Sequence, residues 1–285
     1  VPRSHQPFGE NIMARAWFHI LNNNWLEAER VALTGLEGVK KYGWAGIAPE
    51  CEQVLGKSLF EQADYGGAMV HYQAAVQGFR EMGDSYSEAV TTIRFGQVHA
   101  AQGEFQGAAG LFRQAVRVLG TGRREKRWRA EAYMMLGGIA LATNRLDKAK
   151  PLLQQAMDVF QDLGLVRGMA QAGNLIADLA RKQGRTDEAI EWYTKAVDRF
   201  GHLGGSHSGL ARINLALAYI DAANYKEARR VLEICTSFFS QNGQKQWEAT
   251  SRCLILPPLA QDNLWKEFDS QLKIAERLLR ETMFR

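Results

Sequence analysis

Histidine and cysteine, the side chains that most often carry catalysis or bind metals, are scattered along this sequence without a recognisable motif. Cys51, Cys235 and Cys253 lack CxxC spacing, so they indicate neither a zinc site nor a disulfide framework. His202 and His207 share a glycine-rich loop that offers no third metal ligand. HExxH, GxSxG and phosphate-loop motifs are missing from the sequence. We therefore expect no enzyme activity, no catalytic residue, no bound metal and no cofactor.

One short segment concentrates basic side chains. It consists of Arg123, Arg124, Lys126, Arg127 and Arg129. An acidic partner or phosphate groups would suit such a patch, and the alternative is an exposed linker whose arginines are simply solvated. No second basic stripe accompanies it and the net charge is only +4, so the sequence does not favour nucleic-acid binding.

The composition is that of a folded, helix-rich protein. Of 285 residues, 46% are hydrophobic and 23% are charged, and there are only 6 prolines. No stretch of about 18 apolar residues predicts a membrane span. Unpaired cysteines favour a reducing, cytoplasmic location. The opening Val1-Pro2-Arg3-Ser4-His5 resembles the remnant of a cleavable expression tag, so residues 1–7 are predicted to be a disordered head.

A short phrase that ends in alanine repeats along the chain. Gly-Glu-Phe-Gln-Gly-Ala at 103–108, Ala-Asp-Tyr-Gly-Gly-Ala at 63–68 and Ala-Asn-Tyr-Lys-Glu-Ala at 223–228 share one frame. The last position of the phrase recurs at spacings of 40, 40, 41, 40, 39 and 40. A regular period of this length indicates an array of stacked supersecondary units. The positions are Ala28, Ala68, Ala108, Ala149, Ala189, Ala228 and Phe268.

Small and large residues keep step with this alanine. In most units a small residue stands 12 positions before it and another 7 after it, while large residues stand 3 before and 4 after. Spacings of three, four and seven place these side chains on one face of a helix. Small residues let two helices approach closely and large ones fill the grooves beside them, so each unit is predicted to be a helical hairpin.

Glycine and asparagine mark the predicted helix ends, because both tolerate the left-handed backbone conformation. The predicted turns within hairpins lie at Gly103-Glu104, Asn144-Arg145, Gly184-Arg185 and Asn224. Between hairpins, an apolar residue precedes a glycine by four positions at Gly43, Gly83, Gly164, Gly204 and Gly243. Asp84 and Ser208 are the candidate caps of the helices that follow.

These slots resemble the tetratricopeptide repeat, over essentially all of residues 10–283. The resemblance implies an all-α fold, a right-handed α-solenoid superhelix of seven hairpins that forms a single domain over 8–285. The period of 40 exceeds the common one of about 34, which is similar to the extended repeats of Pins/LGN-type scaffolds, the maltose-operon activator and Rap proteins. The predicted units are 10–44, 50–83, 87–122, 129–164, 168–204, 208–243 and 247–283.

The resemblance also implies which side chains line a concave binding groove. Carried over slot by slot, the candidates are Met13, Trp17, Gln53, Lys57, Phe60, Arg94, Gln97, Met134, Met135, Asn174, Asp178, Arg181, Asn214 and Leu217. For Met134 and Met135 a place in the core is an equal alternative. A mid-helix asparagine has low helix propensity, so Asn174 and Asn214 are predicted to bond a ligand or a neighbouring repeat.

The family's carboxylate clamp is not reproduced, since Arg94 lacks the lysine and asparagine partners in adjacent units. We expect a protein-interaction scaffold that binds a peptide or a helix in its groove. The alternative is a ligand- or peptide-sensing regulatory domain of a larger signalling or transcription regulator. Partners are expected to be proteins or peptides and not membranes, and apolar array ends would also permit self-association.

The last unit departs from the repeat. Pro257 and Pro258 fall in the middle of its first helix, where proline removes a backbone hydrogen bond, so a break or kink is predicted there. Phe268 replaces the small alanine and should widen the helix approach. We expect this unit to cap the array or to turn the chain toward another domain.

Overall fold

The computed structural model describes residues 6–201 and 206–283. Within these ranges every regular element is a helix and no strand occurs, so the all-α prediction is confirmed. The first helix begins at Gln6, inside the predicted head. Residues 1–5 and the predicted loop positions His202 and Gly204 lie outside the described residues.

The helices follow one another with short turns between them. A single turn of 3-10 helix, Ala45–Ile47, precedes the third α-helix. The α-helices are α1 (Gln6–Leu21), α2 (Trp25–Tyr42), α3 (Ala48–Glu61), α4 (Tyr65–Glu81), α5 (Ser85–Ala101), α6 (Phe105–Val118), α7 (Arg123–Ala142), α8 (Leu146–Asp162), α9 (Val166–Lys182), α10 (Thr186–Gly201), α11 (Ser206–Asp221), α12 (Tyr225–Gln241), α13 (Lys245–Leu254), α14 (Leu256–Gln261) and α15 (Trp265–Met283).

The chain forms two compact units, an N-terminal unit that ends at Ile139 and a C-terminal unit that begins at Ala140, inside α7. In the N-terminal unit α1 pairs with α2, α3 with α4 and α5 with α6, and α2 and α4 each pack on the following hairpin. In the C-terminal unit α9 pairs with α10, α11 with α12 and α13 with α15. Hairpins that pack in chain order are the arrangement predicted from the repeat.

The small slots of the repeat lie where helices approach most closely. The repeat alanines Ala28, Ala68, Ala108, Ala149, Ala189 and Ala228 are all 0% exposed. A Cβ on Gly56 would stand 2.9 Å from the ring of Tyr72, and one on Gly96 would stand 2.8 Å from the ring of Phe112. These glycines therefore admit the aromatic side chain of the partner helix, and the rings fill the space that a Cβ would take.

The turns follow the glycine and asparagine prediction with one exception. Gly103, Asn144 and Gly184 have positive φ within hairpins, and the described inter-hairpin glycines Gly43, Gly83, Gly164 and Gly243 have positive φ as well. The Asn224 turn prediction is wrong, because Ala223 takes the left-handed conformation at φ 55°. Asn224 instead caps α12, and its side chain accepts a hydrogen bond from the Glu227 amide at 3.4 Å.

One predicted cap is confirmed and the other is wrong. Asp84 caps α5 and accepts a hydrogen bond from the Ser87 amide at 3.0 Å. Ser208 lies inside α11, which begins at Ser206, and it is buried with its hydroxyl accepting a hydrogen bond from Arg212. Its hydroxyl stabilises a side chain one turn later and not the helix end.

The double proline breaks the last hairpin as predicted. α13 ends at Leu254 and α14 begins at Leu256, with Pro257 and Pro258 in the first turn of α14. The first turn tolerates proline because its amide groups have no partner within the helix. Phe268 is half-buried and packs against the core cluster of the C-terminal unit, which includes Leu259.

Candidate binding surfaces

In the C-terminal unit, α9 and α11 carry a row of mostly polar side chains, and two pairs of them stand 40 residues apart. Asn174, Asp178 and Arg181 stand at helical spacing on α9, and Asn214 and Leu217 stand on α11. All five are half-buried. We call this set, together with Asp221, the polar surface of the C-terminal unit.

The two asparagines contact each other across neighbouring hairpins. Asn214 Nδ2 donates a hydrogen bond of 3.2 Å to Asn174 Oδ1, and the two residues stand 40 positions apart. The predicted inter-repeat hydrogen bond is thus confirmed. In the part of the chain that the structure describes, the amide group of Asn174 and the carbonyl oxygen of Asn214 have no other side-chain partner. One donor group and one acceptor therefore stay available at the surface.

A second pair with the same spacing joins α9 and α11 about two turns further along each helix. Arg181 Nη1 donates to Asp221 Oδ2 at 3.0 Å, with 35% and 44% of the two side chains exposed. Burial lowers the pKa of Arg181, but hydrogen bonds with Asp221 and Tyr193 outweigh burial and raise it. The guanidinium stays charged, and its buried Nε has no hydrogen-bond partner.

Asp178 is tied to the hairpin core. The hydroxyl of buried Tyr193 on α10 donates a hydrogen bond to Asp178 Oδ1. Burial raises the pKa of the Asp178 carboxyl, and the Tyr193 hydrogen bond and the charge of Arg181 oppose that shift. Burial also raises the pKa of Tyr193, helped by the neighbouring Asp178 charge. Asp178 therefore connects the polar surface to the second helix of its hairpin.

In the N-terminal unit, three predicted groove residues lie at the boundary between core and surface. Trp17 packs against the cluster around α1 to α3, and Phe60 packs against Tyr72 and Val98. Lys57 Nζ lies 5.8 Å from the centre of the Phe60 ring and pairs with Glu61. Each of the three is half-buried and so retains an accessible part.

Gln97 and Arg94 stand on α5, where both are half-buried. Gln97 Nε2 donates to Glu131 Oε1 at 3.4 Å. Arg94 holds its guanidinium carbon 5.4 Å from the centre of the Trp128 ring on α7. It also lies near the hydroxyl of Tyr72, whose pKa burial raises and the Arg94 charge lowers.

Three residues predicted to line the groove are instead buried. Met13 is 4% exposed, with its sulfur accepting a hydrogen bond from Cys51 Sγ at 3.4 Å. Gln53 is 7% exposed, and its amide donates to Thr91 Oγ1. Met134 is 2% exposed, whereas its neighbour Met135 is half-buried. Packing and a satisfied hydrogen bond thus remove Met13, Gln53 and Met134 from the accessible surface.

The basic run opens α7 and is not a linker. Arg123, Arg124, Lys126 and Arg127 are exposed in the first turns of this helix. Arg129 is half-buried, and its guanidinium donates to the Gly120 carbonyl and to the Tyr133 hydroxyl, each at 3.4 Å. The helix therefore sets the direction of each basic side chain.

Asp221 completes the polar surface and buried Tyr193 supports it from below, yet neither was predicted from the sequence. Asp221 stands 40 residues after Arg181, as Asn214 does after Asn174, so complementary polar residues one period apart were the available signal. Tyr193 occupies the aromatic slot of the repeat, and its hydroxyl gives no sequence signal of its own.

Other chemistry finds little support in the described residues. No group of three or more histidine, cysteine, aspartate or glutamate side chains there could hold a metal ion. His99 is bonded through Nδ1 to Glu104. Among the described helices, none is long and apolar enough to cross a membrane.

Two family models match the chain, and both describe the tetratricopeptide repeat. One covers residues 93–161 and the other covers residues 168–239. No curated protein matches the sequence. The match over 93–161 includes Arg94, and the match over 168–239 includes Asn174, Arg181 and Asn214.

Solved structures share the fold at low sequence identity. The apo form of the quorum sensor NprR from B. thuringiensis aligns with a TM-score of 0.76 and 14% identity, over 94% of this chain and 75% of that one. The signal transduction ATPase PH0952 from Pyrococcus horikoshii, which has a tetratricopeptide repeat sensor, gives 0.72 and 14%, over 96% and 40%. A Rap protein complexed with Competence and Sporulation Factor gives 0.66 and 11%, over 96% and 79%.

Proposed function

Because this chain is a tetratricopeptide repeat protein, we propose that it is a protein-interaction module that holds an extended peptide segment on the polar surface of its C-terminal unit. The hydrogen bond between Asn174 and Asn214 is the observation that carries this proposal. It fixes two amide side chains from neighbouring hairpins in one arrangement before any partner arrives. Pre-organised groups lose little entropy on binding.

The available groups of the asparagine pair match those of a peptide backbone. The Asn174 amide can donate to a backbone carbonyl, and the Asn214 carbonyl can accept from a backbone N–H. Such contacts fit any sequence, so neighbouring side chains must select the partner. Half-buried Leu217 supplies an apolar contact, and Arg181 supplies a positive charge that Asp221 only partly neutralises.

The N-terminal unit, taken by itself, offers its own candidate peptide contacts, which are Trp17, Lys57, Phe60, Gln97 and Met135. Aromatic rings and thioethers are common anchors for peptides. The ring of Phe60 lies beside the Lys57 ammonium group, which suits a segment that alternates apolar and polar residues.

The proposal is tested by selecting peptides from a random library displayed on phage, with the whole chain as bait. Recovered peptides are then tested against Asn174→Ala and Asn214→Ala, with Gln154→Ala, at an exposed position of α8, as the matched control. The proposal expects peptides that bind the unmodified chain and Gln154→Ala equally well and bind the two asparagine variants more weakly. Peptides that bind all four proteins equally would place recognition elsewhere.

A second candidate function is a sensor domain of a larger regulator. The alignment with PH0952, a protein with a tetratricopeptide repeat sensor of which 40% is covered, favours it, as does the likeness to the quorum sensor NprR. A sensor must change conformation when its ligand binds, whereas a scaffold need not. Small-angle X-ray scattering with and without a selected peptide separates the two, since a changed radius of gyration supports the sensor and an unchanged one supports the scaffold.

A further inference from the structure

In the N-terminal unit, two aromatic residues from different hairpins meet where α5 and α7 begin. Trp128 Nε1 on α7 donates a hydrogen bond of 2.8 Å to the hydroxyl of Tyr86 on α5. Both side chains are half-buried. The bond fixes the two rings relative to each other, so they form a rigid base at the surface of this unit.

Three arginines lie over these rings. The guanidinium carbon of Arg124 stands 3.6 Å from the centre of the Tyr86 ring, which is stacking contact. Those of Arg94 and Arg127 each stand 5.4 Å from the centre of the Trp128 ring. Such contacts hold a cation in place through the negative face of the ring. We call Tyr86, Arg94, Arg124, Arg127 and Trp128 the arginine–aromatic cluster.

The arginines of this cluster are not neutralised by the protein. Across residues 6–201 and 206–283, neither these arginines nor Arg123 and Lys126 take part in an ion pair. Elsewhere in the same unit, Arg30 pairs with Glu27 and Arg80 pairs with Glu88. The charges of the cluster are thus available to a partner, and they differ from those of Arg113 and Arg117, which also form no ion pair among the described residues, in being gathered on two aromatic rings.

The one carboxylate of the basic run serves the helix end. Glu125 stands at the third position of α7, and its carboxylate folds back against Gly122, just before the helix begins. This placement is that of a capping residue, which faces the first backbone amides of a helix. Glu125 forms no ion pair with the adjacent arginines among the described residues.

Arg94 connects the arginine–aromatic cluster to the interior of the unit. Its Nε is buried and has no hydrogen-bond partner in the described protein. The Arg94 side chain also hydrogen-bonds Tyr72, which anchors it on the core of its hairpin. Arg94 also belongs to the predicted groove of the N-terminal unit, so the cluster is continuous with that surface.

We propose that the arginine–aromatic cluster binds the carboxylate side chains of an acidic protein segment. Stacking on Tyr86 occupies one flat face of the Arg124 guanidinium and leaves its N–H edge for a partner, and Arg127 is exposed beside it. Guanidinium edges bond carboxylates through two parallel hydrogen bonds. The positive end of the α7 dipole adds to the attraction.

The same geometry disfavours nucleic acid. Single-stranded nucleic acid binds by stacking bases on exposed aromatic faces, and here arginines cover the faces of Tyr86 and Trp128. Duplex binding needs basic groups along a longer path than the few turns that carry this run. What the cluster offers is a compact set of N–H donors.

The test measures fluorescence anisotropy of a short glutamate-rich peptide, with the glutamine-substituted peptide as the uncharged control. The chain is compared with Arg124→Gln/Arg127→Gln and with Arg113→Gln/Arg117→Gln, which removes two exposed charges from α6 in the same unit. We expect at least a tenfold loss of affinity in the first variant and less than twofold in the second. An equal loss in both variants would mean general electrostatic attraction and would overturn the proposal.

Two further arms sharpen the result. Tyr86→Leu keeps every charge but removes the stacking surface of Arg124, so we expect a severalfold loss that a purely electrostatic patch would not show. Asn214→Ala should leave glutamate-peptide affinity unchanged, because this proposal is independent of the peptide site of the C-terminal unit. A single-stranded oligonucleotide that binds more tightly than the glutamate peptide would also overturn it.

Discussion

Asn214 donates its side-chain amide to the carbonyl of Asn174, 40 residues earlier, and so joins the first helices of two consecutive hairpins. Both residues are poor helix formers in mid-helix positions. A structural bond alone needs only one donor and one acceptor, yet each amide has a further group directed away from the pair. The arrangement combines a connection between repeats with a peptide-like edge at the surface.

Removal of this bond should cost little stability. For Asn214→Ala we expect the free energy of unfolding to fall by about 1 kcal/mol or less, because the bond is half-buried and alanine has the better helix propensity. Urea unfolding followed by circular dichroism measures the change. A loss of several kcal/mol would indicate that the pair serves chiefly to hold the hairpins together.

Gly96 on α5, the first helix of its hairpin, should be required for close packing against α6. A Cβ on Gly96 would stand 2.8 Å from Phe112, so Gly96→Ala is expected to lower the free energy of unfolding by about 1–3 kcal/mol. Gly110→Ala on α6 is the matched control, since its Cβ would meet nothing within 4 Å. There we expect a gain of up to about 1 kcal/mol. The midpoint of thermal unfolding should therefore fall for Gly96→Ala and rise for Gly110→Ala.

The left-handed alanine at the α11 end should be strained. Ala223 has φ 55°, a conformation that costs an L-residue about 1–2 kcal/mol and costs glycine little. We expect Ala223→Gly to raise the free energy of unfolding by up to about 1 kcal/mol. Ala74→Gly, at an exposed site inside α4, should lower it by a similar amount. Urea unfolding measures both changes. If both variants have a lower free energy of unfolding than the unmodified chain, the strain at Ala223 is contradicted.

Asp178 should make stability depend on pH. Because burial raises its pKa above that of the unfolded chain, the carboxyl favours folding while it is protonated, and this contribution is lost as pH rises through the folded-state pKa. Relative to the unmodified chain, Asp178→Asn should thus gain stability as pH rises from below about 3.9 to neutrality. Urea unfolding of both proteins across this range measures it. A variant that loses relative stability with rising pH would show that Arg181 dominates the site.

The repeat made the hairpins predictable because it records helix packing directly. Positions 56 and 96 must hold a small residue because the rings of Tyr72 and Phe112 lie against them. The residue type at such a position therefore recurs with the repeat. The Asn224 error has a local cause. Its side chain is required as the cap of α12, and Ala223 takes the turn conformation in its place.

The binding surfaces were harder to predict because they depend on the rotation of each helix. Met13 and Met134 fit a core and a groove equally well by residue type, and packing buries both. Gln53 was misassigned because its partner Thr91 lies on another hairpin. The hydrogen bond between Asn174 and Asn214 was predictable because a side-chain amide in mid-helix needs a partner whichever way the helix is rotated.

The association of Tyr86 with Trp128 was not predictable from the repeat. The two residues stand 42 positions apart, out of step with the period, and they meet because α7 starts early with the basic run. Sequence reasoning found the charges but treated the segment as a possible linker. Only the structure shows the rings on which the arginines lie.

The most direct test of the central claim is the affinity of a phage-selected peptide for the asparagine variants, measured by fluorescence anisotropy. Each variant removes hydrogen bonds worth about 1 kcal/mol apiece to the peptide and disturbs the pair. The account predicts that Asn174→Ala and Asn214→Ala each weaken binding about tenfold while Gln154→Ala leaves it unchanged. Equal affinity of all three variants and the unmodified chain would contradict it.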